Sequence, residues 1–188
     1  MRDGRETRRK IHEVALRLFV EKGVAETTVR DLAKAAGIAE GTLYRHYASM
    51  SELIWDLFST HYAAFAHRIE AIQAAHDAFP GKLEAIVGEF CRFFDEEPVL
   101  FRFLMLTQHQ TLPRVANDAD NPVEVLHKVV SDAIARDEIA TRSAGLATTL
   151  VMGLLLQPAQ GLVYGRIEPP FAQYASTITA ACLRTLNA

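Results

Sequence analysis

Apolar residues recur at helical spacing along almost the whole chain, and no run alternates for long enough to suggest a sheet. The first period covers about 5–22, with Ile11, Val14, Ala15, Leu18 and Phe19 on one stripe and Gly23 as its stop. A second, short helix starts behind Thr28, a residue able to cap it, with Asp31 three positions on where a capping box needs a carboxylate. It turns Val29, Leu32, Ala33 and Ala36 inward and ends at Gly37, and a third helix covers about 39–47. Ser49 and Glu52 repeat the capping pattern ahead of a long fourth helix with Leu53, Leu57, Phe58, Tyr62, Phe65 and Ile69 on its apolar face. That helix is predicted to reach about residue 78, where Pro80-Gly81 break it. Five more helices follow, at about 82–95, 98–110, 122–136, 141–164 and 169–186, with a polar loop from Leu112 to Asn121. The predicted fold is all-α, with three helices over 1–48 and a six-helix body over 49–188.

Between Thr28 and Tyr47 the chain reads TVRDLAKAAGIAEGTLYRHY. Ala33 is a small residue where two helices can touch, Gly37 is a turn residue tolerant of positive φ, and Leu43 is an apolar plug on the second helix. This is helix-turn-helix spacing. The short helix after the turn carries Thr42, Tyr44, Arg45 and His46, side chains that bond phosphates and base edges. Arg45 can donate a fork to guanine, Thr42 offers a methyl to thymine, and Tyr44 suits a phosphate oxygen. Of the two tyrosines flanking Leu43, Tyr47 is the one expected in the core.

Charge supports this division. Residues 1–50 hold ten Lys/Arg against seven Asp/Glu, whereas 51–188 hold ten against sixteen, within an overall net charge of −3. A basic head on an acidic body suits a DNA-reading segment attached to something that is not one. Arg2, Arg5, Arg8, Arg9 and Lys10 would add attraction that weakens with salt. The start, MRDGRETRRK, has no apolar stretch of the kind a secretory signal needs, and Cys91 and Cys182 read as buried thiols of a reduced, cytoplasmic protein.

Residues from about Arg8 to Leu53, including TTVRDLAKAAGIAEGTLYRHYASMSELI, resemble the N-terminal domain of the TetR (tetracycline repressor) family. The resemblance implies a homodimer with three helices for DNA and a body for dimerisation and for a small-molecule effector. It implies that Thr28 and Arg30 touch phosphate from the bracing helix, and that Gly41, Thr42, Tyr44, Arg45 and His46 are the recognition-helix contacts. Three positions depart from the family's pattern. Ala39 stands where a Ser or Thr cap is common, Glu40 where many members carry Lys, and Met50 where another Lys is common.

The body carries two further expectations. The stretch from Ser143 to Gly165 has no charged side chain, and neither does Phe171 to Leu183. These eighth and ninth helices are expected to pack on their symmetry mates as a homodimer; Gln157, Pro158 and Gln160 interrupt the former too often for a membrane span. Phe58, His61, Tyr62, Phe65, Phe94, Phe101, Met105 and His109 are the candidates to line a pocket for an apolar or aromatic effector. The expected function is a repressor that binds a palindromic DNA operator and is released by that effector, with no cofactor. A metal-responsive helix-turn-helix regulator, a small metal-dependent helical enzyme and a purely structural helical dimer are the alternatives. Seven histidines invite the metal readings, but no HExxH, HxxxH or CxxC spacing is present.

Overall fold

A computed structural model of the chain describes residues 2–115 and 120–187, and the side chains of 4–108, 111, 114–115 and 120–187. Among the described residues there are nine α-helices, one 3-10 turn and no strand. Packing divides the chain into two compact units, Met1–His61 with Val99–Arg114, and Tyr62–Pro98 with Val115–Ala188.

The first unit contains α1 (Arg2–Lys22), α2 (Val29–Ala36), α3 (Glu40–His46), the start of α4 (Met50–Ala74) and most of α6 (Pro98–Val115). Of the predicted stripe of α1, Ile11, Val14, Ala15 and Phe19 are buried, with Leu32, Ala33 and Ala36 of α2 and Leu43 of α3, whereas Leu18 is half-buried. Phe19 stacks on Phe103 of α6 with ring centroids 5.8 Å apart, so the packing unit is larger than the segment that carries the motif. Burying each such aromatic contributes on the order of 1.5–3 kcal/mol.

The caps follow the sequence with one variation. Thr28 and Asp31 form a complete capping box, the Asp31 amide donating to Thr28 Oγ1 at 3.1 Å and the Thr28 amide to Asp31 Oδ2 at 3.0 Å. Lys22 adds an ion pair to the same carboxylate at 2.7 Å, and these bonds hold Asp31 well below the usual carboxylate range. Gly37 takes the left-handed conformation at φ 63° that ends α2. At α4, Ser49 accepts the Glu52 amide at 3.2 Å, but Glu52 reaches back to the amide of Ala48 rather than that of Ser49.

In the second unit α5 (Phe79–Glu96) lies against α7 (Pro122–Ala135), α8 (Ala144–Val163), the 3-10 turn (Phe171–Tyr174) and α9 (Ala175–Leu186). Phe79, Leu83, Ile86, Val87, Phe90, Phe93 and Phe94 of α5 are buried there. Cys91 and Cys182 are buried free thiols, and burial pushes them up to about 12 and about 11.

Several predicted boundaries move. Pro80 and Gly81 do not separate α4 from α5; they sit in the first turn of α5, where the missing proline N–H has no helical partner to lose. The chain breaks earlier, after Ala74, and the Phe79 amide is held by Glu138 Oε2 at 2.5 Å. Helix α6 runs on through Leu112 to Val115, so the first part of the predicted loop is helical; residues 116–119 lie outside the described ones. Helix α8 starts at Ala144 under a Ser143 cap, because Thr141 donates its amide to Leu186 O at 3.0 Å instead. The ninth helix does not begin at Pro169. Its first turn is replaced by the 3-10 turn, whose Phe171 and Ala172 amides donate to Asp95 at 2.7 and 2.8 Å. The carboxylates Asp95 and Glu97 at the end of α5 thus act, respectively, as a cap for the 3-10 turn and as the ion-pair partner of Arg68 at 2.9 Å.

Ala39 is the N-cap of α3, extended at φ −73°, and supplies no side-chain hydrogen bond. Ala39→Ser is expected to stabilise the protein by about 0.5–1 kcal/mol, raising Tm by about 1–4 °C in thermal unfolding followed by circular dichroism. An unchanged or lower Tm would show that α3 does not gain from a cap.

Candidate nucleic-acid interface

The geometry of α2 and α3 follows from one buried plug. Leu43 is 1% exposed, and a helix fixed at that side chain must turn its neighbours outward. Thr42 and His46 are half-buried, Gly41 and Arg45 are exposed, and Tyr44 is 53% exposed. Arg45 Nη2 donates to Thr42 Oγ1 at 3.0 Å, one turn back, which holds the guanidinium along the outer face of the helix. Thr28 and Arg30 stand exposed at the start of α2. All seven predicted DNA contacts therefore lie on the first unit, and the five on α3 flank the plug. Arg45 and His46 occupy the last turn of α3 and Glu40 its first, the arrangement that complements the helix dipole.

Beneath this face lies a polar network that the sequence did not reveal. Tyr47, 5% exposed, donates its hydroxyl to Asp56 Oδ2 at 2.7 Å and accepts from Arg8 Nε at 3.0 Å. Arg8 also closes a two-pronged pair with Asp56, through Nη2 to Oδ1 and Nε to Oδ2. His12 Nε2 lies 2.9 Å from Asp56 Oδ2 and 2.7 Å from the Tyr47 hydroxyl. A carboxylate oxygen only accepts, and the tyrosine proton is already given to it, so the pattern assigns a hydrogen to Nε2. The network joins α1, the residue after α3, and α4. Its hydrogen bonds link residues 9 to 48 apart in sequence.

The surroundings set the charges. Burial alone would raise Asp56, but the Tyr47 hydroxyl and the Arg8 guanidinium outweigh it and hold the carboxyl low. Burial together with that carboxylate pushes Tyr47 up to about 12, so it stays protonated and donating. Burial pushes His12 below its ordinary value of 6.5, against the pull of Asp56. Helix α1 thus presents a neutral imidazole at pH 7.

The eight predicted effector residues divide between the two units. Phe58 and Phe101 are buried in the first, where His61 and Met105 are half-buried; the side chain of His109 lies outside the described ones. Tyr62, Phe65 and Phe94 belong to the second. Phe65 stacks on Phe93 at 4.6 Å, Phe94 meets Phe171 edge-on at 5.2 Å, and burial beside Glu124 pushes Tyr62 up to about 12. Glu124 and His127 stand three apart on α7, yet His127 Nδ1 lies 3.2 Å from Thr148 Oγ1. Among the described residues no three His, Cys, Asp or Glu side chains gather to hold a metal ion.

Residues 11–56 match the family described as bacterial regulatory proteins, tetR family. A Mycobacterium tuberculosis protein named as a mycofactocin biosynthesis transcriptional regulator is 36% identical over 104 residues, 54% of this chain and 50% of that one. The HTH-type transcriptional regulator AcrR of Shigella flexneri is 45% identical over 58 residues, 29% of this chain and 27% of that one. The chain therefore spans half or less of the length of these curated relatives. The fold is shared across nearly the whole chain with the transcriptional regulator FadR of Bacillus subtilis, solved in complex with stearoyl-CoA. The TM-score is 0.83 at 17% identity, over 93% of this chain and 97% of that one.

Because the unfolded chain takes up the His12 proton at a higher pH than the folded one, stability is full above pH 6.5 and falls as pH drops below it. Asp56 acts in the same direction, but only below its ordinary 3.8. Tm measured between pH 7.5 and 5 is expected to fall more steeply for the native protein than for His12→Gln. Parallel curves would contradict the buried, neutral imidazole.

Proposed function

The chain belongs to the tetR family of bacterial regulatory proteins, and we propose that it is a ligand-responsive repressor that binds a palindromic operator as a homodimer. The observation that carries this reading is the exposed pair Tyr44 and Arg45, with half-buried Thr42 beside them, on a helix anchored by buried Leu43, and Thr28 and Arg30 exposed at the start of the preceding helix. An α-helix fits the major groove and reads it with side chains of this kind, while the preceding helix braces on the phosphates. The family is one of transcriptional regulators and not of enzymes. In this reading residues 1–48 carry DNA recognition and 49–188 the effector site and the dimer contact.

One short reading helix covers too few base pairs to be selective, and a two-fold pair reads a palindrome. Helices α8 and α9 are the proposed dimer surface. Ala147, Val151, Leu155 and Ala159 of α8 are buried at four-residue intervals, while Leu146 and Leu150 on another face are 56% and 39% exposed in the single chain. Helix α8 is long and apolar enough to cross a membrane, with 28% of its most apolar window buried. Pro158, Gln157 and Gln160 within it, and its packing against α7 and α9, favour a protein partner over lipid. This reading places the protein in the cytoplasm, with its DNA.

The effector is proposed to be small and largely apolar or aromatic. A neighbour of the same fold described with stearoyl-CoA supports this. An effector that favours one spacing of the two reading heads must change operator affinity by its difference in affinity for the two spacings. Release from DNA is the proposed sign.

Selection of bound duplexes from a random pool by the purified protein tests the proposal. A two-fold palindrome is expected. Arg45→Ala should weaken binding to it by about 1–3 kcal/mol, or roughly 5- to 150-fold, and relax the choice of base at one position in each half-site. Equal binding of all sequences by both proteins would refute the assignment.

A further inference from the structure

Helix α1 carries a second stripe, separate from its buried one. Arg5, Arg8, Arg9, His12, Glu13 and Leu16 follow one another at helical spacing and, with Thr60 and His61 of α4, line a cleft of about 540 Å³ within the first unit. That volume lies in the range of small-molecule sites, about 300–1,000 Å³. Three arginines line it against one acidic residue, Glu13, and Asp56 is paired with Arg8.

The three arginines are not equally occupied. Arg8 is held by Asp56 and Tyr47, so it is a donor fixed in place before any ligand arrives. Arg9 meets Glu13 at 3.6 Å across side chains 74% and 63% exposed, a pair worth little in water. Arg5 is exposed and has no ion-pair partner among the described residues. Leu16 gives the inner end of the stripe an apolar surface.

We propose that this cleft binds a small organic anion, a carboxylate or phosphate group carried on a short apolar body. Arg5 and Arg9 close on the anionic group beside the fixed Arg8, and the body lies along Leu16. Charge-assisted, forked hydrogen bonds to an oxyanion are what guanidinium groups supply best. The site needs neither the operator nor the effector of the proposed function. Through Arg8 it adjoins the network that fixes the end of α3.

Calorimetric titration of the full chain, without DNA, tests this with hexyl phosphate, hexanoate, inorganic phosphate and hexanol as probes. Saturable binding of one hexyl phosphate or hexanoate per chain is expected, with inorganic phosphate weaker and hexanol inert; the stronger of the first two identifies the preferred anionic group. Arg5→Gln, a change at an exposed position, should weaken binding about tenfold. Arg17→Gln, also exposed on α1 but outside the cleft, should leave it unchanged. The proposal is overturned if neither organic anion binds saturably, if Arg5→Gln binds as the native protein does, or if Arg17→Gln weakens binding equally.

Discussion

The Tyr47 hydroxyl is the point at which the first unit is tied together. It donates to Asp56 of α4 and accepts from Arg8 of α1, and it lies within hydrogen-bond reach of His12. Helix α3 has seven residues and no side-chain cap, too short to hold its own conformation in water. Its position therefore rests on the Leu43 plug at its middle and on the Tyr47 ring with its hydroxyl just past its end. A half-buried network of this kind is stable only when each member is satisfied. Here the tyrosine proton, the imidazole hydrogen and the forked guanidinium all converge on one carboxylate.

That arrangement explains how a poorly capped helix can present a defined surface. Arg45 is steadied by Thr42 from the same helix, and Tyr44 projects into solvent because the alternate position is taken by the plug. Ala39 supplies no side-chain cap at the start of the helix, and its first turn carries the carboxylate of Glu40 rather than a cation. The tie to α1 and α4 lies just past its other end, at Tyr47.

The sequence revealed what is local. The Ala33, Gly37 and Leu43 spacing, the Thr28–Asp31 box and the stripe of α1 all lie within one or two helical turns, and each is present. Pro80-Gly81 misled because proline marks both the end of one helix and the first turn of the next, and local pattern does not distinguish them. The start of the ninth helix depended on Asp95, 76 residues away from the amide it holds. Arg8, His12 and Asp56 carried no signal for the same reason, since no period links α1 to α4. The effector residues were chosen for aromaticity alone, which marks a core as readily as a pocket; Phe58 at 0% and Phe101 at 3% exposure pack as core residues do.

Amide hydrogen exchange on the native protein and on Tyr47→Phe, compared residue by residue, tests the dependence of α3 on this network most directly. Removing one hydroxyl leaves the ring in place but deprives Asp56 of a donor and Arg8 of an acceptor. Amides of Glu40–His46 should then exchange at least several-fold faster, while those of α2, held by its own capping box, keep their rates. Unchanged protection across α3 would mean that the plug alone positions the reading helix and that the Tyr47 network does not.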